Sequence, residues 1–229
     1  MNKMKEIDTL EKIEEILETG SKFRISNSDD LNRCIYHICK LIESSYILYK
    51  NGLYSTSLFL SITIIEEVGK THVGLFVQDP EKIKLTHQKR CEMDNDSKKS
   101  NMRKSNTASQ SKKKGDPLYN HNMKHSAGLP FTVIVSGRII DSVGEEKLEL
   151  LLEKAHNEGF MEKRNSALYC DCKDGNIVIP EDVISKDEAR SFLLLAIESF
   201  DDNLIGYTNY SFDVSKFTDK IFKEVMNDI

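Results

Sequence analysis

The 229-residue chain reads as mainly all-α, one helical-bundle domain over residues 1–229 with a single small β-hairpin. Three observations predict this. Apolar residues recur at three- and four-residue intervals through most of the length, there are only 4 Pro and no Trp, and one stretch alone, 167–180, has two strand-like runs around a Gly-containing turn. A chain of this size can bury a substantial core.

Ile7, Leu10, Ile13, Ile16 and Leu17 predict a short amphipathic helix over 4–17 that stops at Gly20. Ser28-Asp29-Asp30 can cap a second helix, whose stripe runs Leu31, Ile35, Ile38, Ile42, Tyr46, Tyr49 and ends near Asn51-Gly52. The third starts around Tyr54 with the stripe Leu58, Ile62, Ile65, Gly69, Val73, Phe76. It is widened by Phe59, Leu60 and Ile64, so it should be central. The similar spacing predicts an antiparallel helical hairpin closed at Gly52.

Residues 94–116 are rich in Ser, Asn and Lys, with Met102 and Ala108 the only apolar side chains. Such a segment cannot offset its ordering entropy by burial and is expected to be a mobile basic insert. After Pro117 a helical pattern passes through Leu118, His121, Met123 and His125, is punctuated at Gly128 and Pro130, and resumes over 131–140. Residues 145–159 predict an amphipathic helix with Leu148, Leu151, Leu152 and Ala155 on one side and Gly159 as terminator. The hairpin follows. Ser185 with Glu188 gives a capping-box signature for a helix to about Tyr207, and 212–226 predicts the last one.

Net charge is −5, but residues 97–115 hold seven Lys or Arg and no acid, leaving −12 on the remainder. An acidic body excludes a general nucleic-acid binder and leaves one local segment attractive to polyanions, with Lys112, Lys113 and Lys114 as candidate RNA contacts. No apolar run follows the lysines at the start of the sequence, and nowhere are eighteen apolar residues uninterrupted. Neither a signal peptide nor a membrane span is expected, and the location read from this is cytoplasmic. Cys34, Cys39, Cys91, Cys170 and Cys172 have neither disulfide-framework nor zinc-finger spacing and read as reduced thiols. Alternation puts Cys170 and Cys172 on one strand face, where buried packing is the plain expectation.

The run Ile64-Ile65-Glu66-Glu67-Val68-Gly69-Lys70 sets ionic groups into an otherwise apolar helix, where they cost stability unless paired. Glu66 should be the more buried carboxylate, Glu67 should point further out, and Lys70 lies one turn from Glu66 at the favourable i,i+4 spacing. A pair that only helps define the fold would look the same. His121, Lys124 and His125 share one helix side, combining groups suited to proton transfer with a cation for phosphate charge. Exposed His pairs with no role share that spacing.

The His-x-x-x-His spacing with Glu66 could also hold a transition metal, but no Glu follows His121, so the zincin motif is absent. The expectation is no metal and no cofactor. Arg33 and His37 lie opposite their helix's apolar stripe, as a solvated face would. Arg164 and Tyr169 precede the hairpin, where they could reach a phosphate or dock the hairpin on the bundle. Phosphate-loop, nucleophile-elbow and dinucleotide-binding motifs are absent.

Glu66-Glu67-Val68-Gly69-Lys70, then His121-Asn122-Met123-Lys124-His125, then Arg164-Asn165-Ser166-Ala167-Leu168-Tyr169 with Asp174-Gly175 and Pro180, resemble in that order the AbiV-type abortive-infection family. The resemblance spans about residues 32–206 and implies a HEPN-like antiparallel helical bundle, often dimeric, from prokaryotic conflict systems with many metal-independent ribonucleases. It carries Glu66, Lys70, His121 and Lys124 over as candidate catalytic residues, with Glu67, Arg164 and Tyr169 supporting; His125 joins them by its position. The Arg followed after four to six residues by His that ribonuclease members typically show is not found here. What the resemblance implies is an antiphage effector that arrests the growth or translation of an infected cell. It would work as an RNA-cleaving enzyme or, alternatively, as a non-catalytic binder of a phage protein or RNA. A homodimer through the second or third helix, a phage protein as trigger or inhibitor, and RNA or the translation machinery are the expected partners.

Overall fold

The computed structural model describes residues 13–83, 116–129, 137–156 and 159–228, so residues 4–12 of the expected first helix, Cys91, Lys112, Lys113, Lys114 and most of the basic insert lie outside the described residues. Helix α1 covers 13–19. Asn27, one residue before the expected Ser28, caps α2 (Ser28–Lys50): its Oδ1 accepts from the Asp30 amide at 2.9 Å. Asp29 and Asp30 in the first turn and Lys50 in the last complement the helix dipole. Gly52, at a φ of 77°, turns the chain, and α3 (Tyr54–Gly74) returns against α2.

Helix α3 is central. Leu58, Ile62, Ile64, Ile65 and Val68 are fully buried, as the width of its apolar face requires. Phe76, placed on the stripe by spacing, is exposed because α3 ends at Gly74 and the helical period stops there. The α2–α3 seam is partly hydroxyl: Ser45 Oγ lies 2.9 Å from the Ser57 carbonyl and 3.1 Å from Ser61 Oγ, and Ser57 Oγ donates to the Ser45 carbonyl at 2.9 Å.

A 3-10 turn at Pro117–Tyr119 leads into α4 (His121–Gly128), followed by α5 (Gly137–Val143), α6 (Glu145–His156) and α7 (Gly159–Ser166). Gly159 opens α7 instead of ending the preceding helix. A Cβ there would sit 3.1 Å from the Lys154 carbonyl, so glycine lets the start of α7 close onto α6. Of the helix expected over 131–140, only the part from residue 137 lies among the described residues.

Strands β1 (Asp171–Lys173) and β2 (Asn176–Val178) pair antiparallel with Cys172 opposite Ile177. Asp174 and Gly175 take φ of 51° and 81°, the left-handed pair that a tight two-residue hairpin demands. Cys170 and Cys172 are exposed, contrary to the buried packing expected, because the ribbon stands off the bundle with only Val178 half-buried.

After α8 (Pro180–Val183), α9 (Lys186–Leu204) crosses the core with Phe192, Leu193, Leu194, Leu195, Ile197 and Phe200 fully buried, chiefly against α3. Ser185 accepts from the Glu188 amide at 3.1 Å. Gly206, at a φ of 93°, ends this run earlier than Tyr207. The reciprocal Thr208–Ser211 cap starts α10 (Asn209–Met226) three residues before the apolar pattern does. No described helix is long and apolar enough to cross a membrane.

One polar network was invisible in sequence. Arg138 of α5 bonds Glu198 at 2.8 Å and Asp201 at 2.7 Å on α9 and Asp219 at 2.6 Å on α10, with its guanidinium over the Phe222 ring. One cation serves too many carboxylates. Burial, reinforced by Glu198 and Asp201, pushes the Asp202 carboxyl up to about 7 and leaves its Oδ2 without a hydrogen bond. Such a group binds protons more readily folded than unfolded, so its ionisation subtracts stability as pH rises from about 4 through 7. Asp202→Asn is therefore expected to raise the thermal midpoint at about pH 8 and change it little near pH 4, measured by melts at both.

Candidate functional site

Glu66 belongs to a helix face that spacing places inward, and it is only 3% exposed. The residues that make this burial tolerable come from α4. His125 Nε2 lies 2.9 Å from Glu66 Oε1, His121 Nδ1 lies 2.9 Å from Oε2, and Lys124 Nζ donates to Oε2 at 3.3 Å. The i, i+3, i+4 spacing puts all three on one side of α4, and that side faces α3. Burial opposes ionisation of Glu66, but the bond and charge of His125, the charge of Lys124 and the bond of His121 outweigh it and hold the carboxyl at about 2.

Two glycines bring the helices this close. A Cβ at Gly69 would fall 2.2 Å from the Lys124 carbonyl, and one at Gly128 would fall 2.5 Å from the Ile65 carbonyl. Backbone therefore packs on backbone. The carbonyl of Gly128 at the end of α4 accepts from Ser199 Oγ at 2.6 Å and Asn203 Nδ2 at 3.1 Å, which moors α4 to α9. Upstream, the Asp116 carboxylate accepts from Ser21 Oγ at 2.7 Å and from the Lys22 amide at 2.8 Å, fixing the chain just before α4.

Helix α7 closes the remaining side. Phe160 meets the His125 ring edge-on at a centroid distance of 5.3 Å, and Arg164 stacks over Phe59 at 4.8 Å from its centroid. Arg164 Nε, 3.8 Å from Glu66 Oε1, has no hydrogen-bond partner. An ionised carboxylate only accepts, so the ring nitrogens that face Glu66 carry protons. The His121 side chain is 40% exposed, whereas that of His125 is wholly buried.

The structure thus brings Glu66, His121, Lys124, His125 and Arg164 together. Lys70 does not join them. It bonds Glu67 at 3.2 Å and lies over the Phe23 ring, because Glu66 is already occupied by α4 and the aromatic face draws the lysine stem outward. Tyr169 stands past the end of α7, 62% exposed and outside the cluster. Arg33 and His37 are solvated, as their helix face predicts. Sequence reasoning missed Ser199 and Asn203; hydroxyl and amide side chains one turn apart in the apolar run of α9 were the available signal. Among the described residues of one chain, no group of three His, Cys, Asp or Glu could hold a metal ion.

The protein is thus a helical bundle with a buried carboxylate shared between two closely packed helices and surrounded by imidazole, ammonium and guanidinium groups. The HEPN AbiV family model, described as AbiV, matches residues 30–200, and the chain belongs to that family, one of abortive infection and HEPN type. No curated protein and no solved structure matches it.

Proposed function

We propose that the protein arrests growth of phage-infected cells by cleaving RNA without a metal ion, after recognising a phage component. The observation that carries this reading is the part-exposed His121 ring, held at Nδ1 by a buried, ionised Glu66 whose other oxygen lies 3.8 Å from Arg164 Nε. His121 Nε2 takes the proton from a ribose 2′-hydroxyl, the 2′-oxygen forms a bond to the adjacent phosphorus, and the bond from phosphorus to the 5′-oxygen breaks. The leaving oxygen takes the proton back from His121, giving a cyclic phosphate and a 5′-hydroxyl. Arg164 stabilises charge on the phosphate oxygens, while Lys124, buried like His125, helps to hold Glu66 ionised. Burial of His125 makes it a positioning residue, narrowing the choice of base to His121.

His121 is the most exposed member of the cluster, so His121→Ala should keep the melting temperature within a few degrees while abolishing growth arrest on phage challenge. Full arrest by a folded variant would remove the assignment. Burial of Lys124 and His125 also favours a second reading, in which the cluster stitches α3 to α4 and the protein acts by capturing a phage protein or RNA. Incubation with total RNA and phage lysate, with and without EDTA, separates the two: cleavage unaffected by EDTA supports the first, a stable complex without cleavage the second.

A further inference from the structure

The hairpin is amphipathic, and its apolar side faces solvent. Pairing of Cys172 with Ile177 puts both on one face of the ribbon, and alternation continued one residue past the strand ends adds Cys170 and Ile179; Asp171, Lys173, Asn176 and the half-buried Val178 lie on the other. Both thiols are exposed, Ile177 is 71% exposed and Ile179 41%. Free cysteine is among the most consistently buried residue types, so two thiols beside two isoleucines in the open require an occupant. A two-stranded ribbon whose strands hold only one half-buried residue, Val178, is also marginal by itself.

We propose that Cys170 and Cys172 form half of a site for a thiophilic divalent cation of the zinc type, completed by the same pair on a second copy of this chain. Cys170 stands one residue before β1; at the extended spacing of about 6.7 Å between residues i and i+2 the pair lies at the far limit for a disulfide, whose Cα atoms usually sit near 5.5–6 Å. Tetrahedral coordination at about 2.3 Å asks for sulfurs roughly 3.8 Å apart, a separation that two such side chains reach by leaning together. The pair therefore fits a shared ion better than an internal disulfide.

Two thiols leave a tetrahedral ion half-ligated, which calls for the partner. An identical ribbon related by a two-fold axis brings a matching pair of thiols and a matching pair of isoleucines, and stacked ribbons at about 10 Å leave room for one ion between them. The apolar face of so short a ribbon falls well under the roughly 800 Å² per partner of a standard interface, so the metal–thiolate bonds must supply the remaining stability. Elsewhere the exposed side of α2 interleaves Tyr36 and Ile47 with Arg33, His37 and Lys40, so a continuous apolar face is found on the ribbon and not there. On binding, four thiols release four protons to solvent as four metal–sulfur bonds form, with no change of oxidation state.

The test uses the reduced, metal-stripped full chain titrated with Co²⁺ and then Zn²⁺. The expected result is a thiolate-to-cobalt charge-transfer band with tetrahedral d–d bands, saturating at half an equivalent per chain, together with a doubling of mass in light scattering. Cys170→Ser and Cys172→Ser should each abolish both signals while leaving the circular dichroism unchanged. Absence of the bands, their persistence in the double serine variant, or saturation at one ion per chain with an unchanged mass would each overturn the proposal.

Discussion

Glu66→Ala should cost about 3–5 kcal/mol of folding stability, the usual penalty for removing one partner of a buried charge pair. The lysine and two imidazoles on α4 would face a cavity with no acceptor, and two of them are almost fully buried. Equilibrium urea unfolding measures the loss. The same experiment across pH identifies the cause. Because the folded carboxyl titrates at about 2 against an ordinary 4.5, its ionised form stabilises the fold by about 3 kcal/mol above pH 4.5, and that contribution is lost as pH falls towards 2. Glu66→Gln, which keeps shape but not charge, should therefore trail the native protein at neutral pH and converge with it on acidification. A constant gap across that window would show that the carboxylate charge is not what holds α4.

Gly69→Ala is the second large effect. The new methyl would sit 2.2 Å from the Lys124 carbonyl and 2.6 Å from the Gly128 nitrogen, both backbone atoms that no rotamer change can move. Overpacking of this kind costs typically 1–3 kcal/mol and here should reach the top of that range, since α4 must retreat by about an ångström or more. Retreat also stretches the bonds to Glu66, so growth arrest should fall together with stability. A variant that melts like the native protein and keeps the His121 ring proton resonances unchanged would show that the helices do not meet as closely as described.

The legible parts of the fold were those written in helical periodicity. The α2–α3 hairpin, its closure at Gly52, the inward turn of Glu66, the outward turn of Glu67 and the shared side of His121, Lys124 and His125 all follow from about 100° per residue. Long-range choices were not legible in the same way. Lys70 had two carboxylates within one turn, and the one it took depended on α4 already holding Glu66 and on Phe23 lying nearby. Arg138 sits in a stretch that reads as apolar, and its acidic partners lie about 60 to 80 residues away on α9 and α10, a pairing no local pattern encodes. The exposed thiols show the same limit from the other side: alternation fixes which face two residues share, and only the packing around the ribbon decides whether that face is covered.

The hydroxyls of Ser45, Ser57 and Ser61 have a consequence for the distant carboxylate five residues further along α3. Greasy surfaces tolerate rolling, because contact between methyl groups changes little with angle, whereas hydrogen bonds do not. A roll of α3 by about 20° would sweep a side-chain tip at roughly 6 Å from the axis through about 2 Å, enough to undo a 2.9 Å bond. The serines thus work as an index pin: they set the azimuth of α3, and with it the heading of Glu66.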